Sequence, residues 1–289
     1  DVSPSATSTS SLLRERSVCI GGLALILALT GCSRESETQA SRAPLSAHAA
    51  ARGESAPAPS ARAPGAPAAG FAVVELFTSE GCSSCPAADE SLARIAARAE
   101  HDAARVFPVE LHVDYWDYLG WRDRFDDPRF SSRQAGYRTL NSATYTPQAV
   151  VNGEHECVGS DESRLSALIA QSLTRGATTA LTLSANWSNA RVSVRYQSQS
   201  DEPAQTLNLF VVEARAESSV TRGENAGEHL AHRNIARNFA THSLATGHDD
   251  GTWDAGLPED FSPSGARVLA FAQRAPQGAI TGAALSTIE

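Results

Sequence analysis

Apolar residues recur along this chain with two different periods, and the change of period marks its organisation. Phe71-Ala72-Val73-Val74-Glu75-Leu76-Phe77-Thr78 is a largely apolar, β-branched run with a glycine before it and a polar turn after it, which predicts a buried strand. Leu92, Ile95, Ala96 and Ala99 follow at helical spacing, with Arg94, Arg98 and Glu100 on the other side, the pattern of an amphipathic helix. Val106 to Val113 reads as a second strand, and an aromatic, acidic segment leads into a helix around Pro128 to Leu140. Ala149-Val150-Val151-Asn152-Gly153 reads as a strand entering a hairpin turn. Asp161 is placed to cap a helix whose apolar stripe is Leu165, Leu168, Ile169 and Leu173. Strand and helix therefore alternate over 71–175, which predicts an α/β domain.

Beyond Gly176 the period becomes two. Leu181 to Trp187, Val192 to Tyr196, Leu207 to Val212 and Val268 to Ala272 read as strands between polar turns. That pattern predicts an antiparallel, sandwich-like β domain over 176–289.

The first seventy residues obey neither period. Arg14 and Arg16 precede an uncharged apolar stretch from Ser17 to Thr30, the order of an export signal and shorter than the roughly 20 apolar residues of a comfortable membrane span. The stretch closes on Leu29-Thr30-Gly31-Cys32, which resembles the lipobox of bacterial lipoproteins. That resemblance implies removal of 1–31, lipid on Cys32, and a place at the periplasmic face of the outer membrane or otherwise in the periplasm or medium. An ordinary secretion signal with a chance cysteine is the competing reading. The following segment, through residue 70, is rich in Ala, Pro and Ser with little to bury, so it reads as a disordered tether over 32–70 with a root-mean-square reach of about 35 Å.

Charge removes one class of partner. A formal net charge of -9 with no basic run argues against nucleic acid, whose phosphates need clustered Lys or Arg.

Candidate chemistry centres on Cys82-Ser83-Ser84-Cys85-Pro86. The pair falls between a buried strand and a helix, where helix N-terminal N–H groups stabilise a thiolate. Pro86 supports a helix start there, since proline is tolerated in a first helical turn. This placement assigns Cys82 as an outward-facing nucleophile and Cys85 as the thiol that resolves a mixed disulfide. Two other readings compete: a structural disulfide, common in exported proteins, and half of a zinc site completed by His155 and Cys157. Cys157 itself reads as a buried free cysteine or as a third redox thiol. His229, His232, His242 and His248 have spacings that fit no convergent metal site, so neither metal nor cofactor is expected.

Three blocks carry a resemblance: 75–86 around the cysteines, His112-Val113-Asp114-Tyr115-Trp116-Asp117-Tyr118-Leu119-Gly120-Trp121, and Tyr145-Thr146-Pro147-Gln148. Together with Gly223 to Glu228 and His232 to Arg237 they resemble the bacterial secreted family called domain of unknown function 1223, placed among thioredoxin-like folds. The resemblance implies a thioredoxin-like domain over 71–175. It also implies that Glu75 is a buried acid relaying protons, against the alternative of a solvent-facing strand-end carboxylate. By the same resemblance a cis Thr146–Pro147 bond faces the cysteine pair. Thr146, Trp116, Tyr118 and Trp121 then line a substrate recess, although aromatic core packing competes for some of them. The function these readings favour is a cell-envelope thiol–disulfide oxidoreductase acting on protein thiols or disulfides. The alternative is a non-enzymatic binding module whose cysteines staple a loop.

Overall fold

The computed structural model describes residues 69–289; the expected signal over 1–31, the expected lipid site at Cys32 and most of the expected tether lie outside the described residues. Strands are β1 (Ala72–Thr78), β2 (Val106–His112), β3 (Gln148–Val151), β4 (His155–Val158), β5 (Ala180–Ser188), β6 (Arg191–Ser200), β7 (Gln205–Ser219), β8 (His229–Leu244), β9 (Gly247–Gly256), β10 (Arg267–Arg274) and β11 (Ile280–Thr287). The α-helices are α1 (Pro86–His101), α2 (Pro128–Gly136) and α3 (Glu162–Leu173), with a 3-10 helix at Asp114–Leu119.

An eight-stranded sheet runs in the order β11-β10-β7-β8-β2-β1-β3-β4, and a separate three-stranded sheet runs β5-β6-β9. In the large sheet β1 pairs parallel with β2, and β2 is joined parallel to β8 at Glu110 and Ile235. The remaining pairings in it are antiparallel.

This corrects the expected fold class. The chain is mostly β, built on one mixed sheet, and is not a thioredoxin α/β fold followed by an antiparallel sandwich-like domain. The physical reason is the β2–β8 junction: strands from beyond residue 176 extend the sheet begun by β1 and β2. Periodicity reports that a segment is a strand and which side it buries, and is silent about its partner.

Local sequence explains the elements. All seven residues of β1 are buried, as a central strand covered on both faces requires. Val74 and Leu76 pack with Leu92 and Ile95 of α1 and Leu165, Leu168 and Ile169 of α3. Val73 and Phe77 pack on the other face with Phe130, Phe210 and Phe271. Strand β6 alternates exposed and buried along its length; its Val192, Val194 and Tyr196 pack against Leu207, Leu209 and Val268 of the large sheet. Asp127 caps α2 by accepting from Arg129 N, and Asp161 caps α3 by accepting from Arg164 N at 3.0 Å. The β3–β4 turn places Asn152 and Gly153 at positive φ, a conformation these residue types tolerate best.

Candidate functional site

The cysteine pair closes the loop between β1 and α1. Cys82 N donates to Ser79 O at 3.2 Å and Cys85 N to Cys82 O at 3.1 Å. Cys85 is the N-cap of α1, with Pro86 in the first turn. The two cysteines form a disulfide, so they are not zinc ligands in this state.

The loop tip is open and its sulfurs are not. Ser83 and Ser84 are exposed, whereas Cys82 is 1% and Cys85 0% exposed. The expected outward-facing Cys82 is therefore corrected. Its cover comes from the tight turn between β7 and β8, closed by Gly227 N to Val220 O at 2.8 Å. Glu224 accepts from Ser83 N at 3.0 Å and from Ser83 Oγ at 2.7 Å. Asn225 Nδ2 donates to Glu80 O at 2.8 Å and to Cys82 O at 3.0 Å. Gly223 takes φ +79°, and a side chain on it would make ordinary van der Waals contact with Trp121 Cβ at 3.5 Å and Gly81 Cα at 4.0 Å.

The aromatic segment forms a second wall. A side chain on Gly81 would meet Trp116 Cβ at 2.9 Å, so glycine is required for that approach. Trp116 Nε1 donates to Thr146 Oγ1 at 2.8 Å, and Trp121 Nε1 donates to Glu80 Oε2 at 2.7 Å. Tyr118 is 77% exposed and stacks on Trp116 at 6.4 Å between ring centroids. Thr146–Pro147 is cis. Pro147 lies beside Gly159, near Ala88 of α1 and Leu76 of β1. Thus Cys82, Cys85, Trp116, Trp121 and Thr146 gather around one end of β1, and Tyr118 points to solvent.

A family model described as protein of unknown function (DUF1223) matches residues 73–273. The chain belongs to that family. The crystal structure of protein AGR_C_4864 from Agrobacterium tumefaciens is similar, with 27% identity and a TM-score of 0.53, covering 76% of this chain and 95% of that one. A domain of the outer membrane lipoprotein Omp28 from Porphyromonas gingivalis aligns at 9% identity over 39% of this chain and 89% of that one. Its TM-score of 0.26 is too low to bear on function. No curated protein matches the sequence.

Two other sequence candidates in this DUF1223 chain have structural surroundings. Glu75 is fully buried, on the sheet face of Val73 and Phe77 rather than the face carrying α1. Arg133 Nε donates to its Oε1, Arg133 Nη2 to its Oε2 at 3.1 Å, and Tyr137 OH also to Oε2. The same guanidinium reaches Asn208 Oδ1 at 3.1 Å and Gln273 Oε1 at 2.9 Å. The carboxylate is thus committed to an ion-paired core network. Cys157 is free and buried on β4. Burial, with Asp161 and Glu156 adding to it, pushes its thiol up to about 11.

Sequence reasoning missed a cluster directly beneath the disulfide loop. Glu110 and His112 share one face of β2, His232 enters from β8, Asp89 from α1, and Glu80 and Asp123 from flanking loops; all six are buried. His112 Nδ1 lies 2.7 Å from Asp123 Oδ2, and Asp123 Oδ2 also accepts from Glu80 N at 2.8 Å. Burial alone would lower the His232 pKa, yet the Glu110 and Glu80 carboxylates raise it to about 9. His112 is likewise raised against its burial, chiefly by Asp123 and then Glu110. Burial, then Glu110, pushes Asp89 up to about 7. The spacing Glu110-Leu111-His112 was a readable signal, since residues two apart on a strand share a face. The other three histidines do not join: His229 pairs with Glu217, His248 with Asp250, and His242 lies against Tyr196.

Proposed function

We propose that the chain is an exported thiol–disulfide redox protein of the cell envelope whose working bond is Cys82–Cys85. The observation that carries this reading is the seat of the pair: Cys85 caps the N-terminus of α1, and the loop is covered only by non-covalent contacts from a turn and an aromatic segment. A helix N-terminus carries partial positive charge and favours a thiolate there.

In one exchange, a partner thiolate attacks Cys82 Sγ, the Cys82–Cys85 bond breaks, and its electron pair leaves on Cys85 as a thiolate. A second partner thiolate then attacks the partner sulfur of the mixed disulfide and expels Cys82 as a thiolate. The partner dithiol is oxidised to a disulfide and the cysteine pair is reduced; the reverse sequence reduces a partner disulfide. Lifting the Gly223–Glu228 turn is the step that bares Cys82. The lipobox and tether would hold this chemistry at the membrane, and among the described residues no helix is long and apolar enough to cross one.

Burial of both sulfurs favours the second reading, a binding module in which the disulfide only staples the loop. The reduction potential separates the two, since structural disulfides lie below about -300 mV and exchanging ones above. A potential above that mark, with Cys85→Ser trapping a mixed disulfide and Cys82→Ser abolishing exchange, supports the redox reading. A lower potential without trapping supports the staple.

A further inference from the structure

We propose that Glu110, His112 and His232 bind a divalent first-row transition ion, zinc fitting best, with Asp89 as the fourth ligand, in the closed space beneath the disulfide loop. One donor atom from each of Glu110, His112 and His232 lies within 4.8 Å of the others. Glu110 Oε2 is 3.7 Å from His112 Nε2 and 3.6 Å from His232 Nδ1, and Asp89 Oδ2 is 3.7 Å from the same His232 nitrogen. These separations are too long for hydrogen bonds. They suit donors sharing an ion, because a tetrahedral site with bonds near 2.1 Å holds its ligand atoms about 3.4 Å apart.

Unpartnered atoms aimed into the space point the same way. His112 Nε2 and His232 Nδ1 have no hydrogen-bond partner, although these residues are 0% and 1% exposed. A buried polar group left unpaired is costly, and a cation accepts a lone pair from each imidazole.

The outer contacts are those expected around metal-binding histidines, whose second nitrogen is held by a carboxylate. Asp123 holds His112 Nδ1, leaving Nε2 directed at Glu110. Glu80 Oε1 stands 3.4 Å from His232 Nε2, and its other oxygen is fixed by Trp121. Asp89 Oδ1 accepts from Thr78 Oγ1 at 2.7 Å, and both Glu110 oxygens lie 3.3 Å from Arg233 N.

Two imidazoles with carboxylates select zinc, manganese, iron or cobalt over the all-oxygen preference of magnesium and calcium. The closed surroundings favour a structural ion. Its ligands come from β2, β8 and α1, so it would clip the β2–β8 junction to the helix whose N-cap is Cys85. Protons on His232 and Asp89 compete with it, so affinity should rise with pH.

The test uses the full chain. Its metal content is measured as purified; it is then stripped with a chelator and titrated with Zn²⁺ and Co²⁺ while thermal unfolding and visible absorption are followed. The expected result is about one equivalent of metal, a melting temperature that falls on stripping and returns with Zn²⁺, and Co²⁺ bands of tetrahedral N/O coordination. His112→Gln should abolish the bands. Asp123→Asn, which touches no ion, should fold and bind about 10–100-fold more weakly. The Cys82→Ser/Cys85→Ser double variant should bind as the parent does, which separates this site from the redox reading. Absence of stoichiometric metal, with no Co²⁺ bands and no Zn²⁺ effect on melting in the stripped chain, would overturn the proposal. So would Zn²⁺ affinity unchanged in both His112→Gln and Asp123→Asn.

Discussion

The side-chain amide of Asn225 donates to the main-chain oxygen of Cys82 at 3.0 Å, across 143 residues of sequence. Its other hydrogen bond reaches Glu80 O at 2.8 Å, so one buried side chain pins both ends of the turn that delivers Cys82. Asn225→Ala leaves two carbonyls without that donor, and a buried acceptor left unsatisfied costs about 1–3 kcal/mol. The expected outcome is a lower melting temperature together with faster reduction of Cys82–Cys85 by dithiothreitol. A reduction rate equal to the parent's would show that the turn does not gate the sulfurs.

The place of the cysteines was legible because three local signals agree: the apolar β1 run, the helical spacing of Leu92, Ile95 and Ala99, and Pro86 at the junction. Their burial was not legible, because Glu224 and Asn225 arrive from a turn whose position depends on β8 joining β2. Strand β8 itself went unread, since it buries His232 and Asn234 beside Ile235 and Ala236 and lacks a clean apolar alternation. The spacings of His229, His232, His242 and His248 along the chain converge on nothing. The partners that matter to His232 are Glu110 and His112 on β2, brought near by a single parallel bridge. Thr146 and Trp116, both expected to line one recess, are joined by a 2.8 Å hydrogen bond.

Cys157 should be chemically silent in the folded protein. Its side chain packs in the apolar layer between the large sheet and α1 and α3, and its thiol is pushed up to about 11 by burial. The thiolate is the reactive form. Mass spectrometry after iodoacetamide at pH 7.5 should show no label on Cys157 until denaturant is added. Rapid native labelling would restore the third-redox-thiol reading.

Glu75→Gln should destabilise the fold without altering exchange chemistry. The substitution removes one partner of the buried Arg133 pair, and breaking a buried ion pair costs about 3–5 kcal/mol because the remaining charge is stranded. Urea denaturation should show that loss. Disulfide exchange per folded molecule should stay at the parental rate, whereas a slowed rate with parental stability would return Glu75 to the role of proton relay.

Asp126 predicts a pH dependence that can be isolated by difference. Burial, then a hydrogen bond and charge repulsion from Asp117, pushes its carboxyl up to about 7 from an ordinary 3.8. A raised folded-state value means that the folded chain holds this proton more tightly than the unfolded chain does. Its contribution to stability is therefore complete below about pH 4 and is lost as pH rises through 7. Arg122 Nε, 3.7 Å away, offsets part of the charge that appears. Asp126→Asn keeps a hydrogen-bonding group of the same shape and cannot ionise, so other titrating groups cancel between variant and parent. Melting temperatures taken from pH 4 to 9 should show the variant gaining on the parent up to about pH 7 and holding a constant margin beyond it. A margin that does not change across that range would mean that Asp126 is already ionised in the folded protein at pH 4.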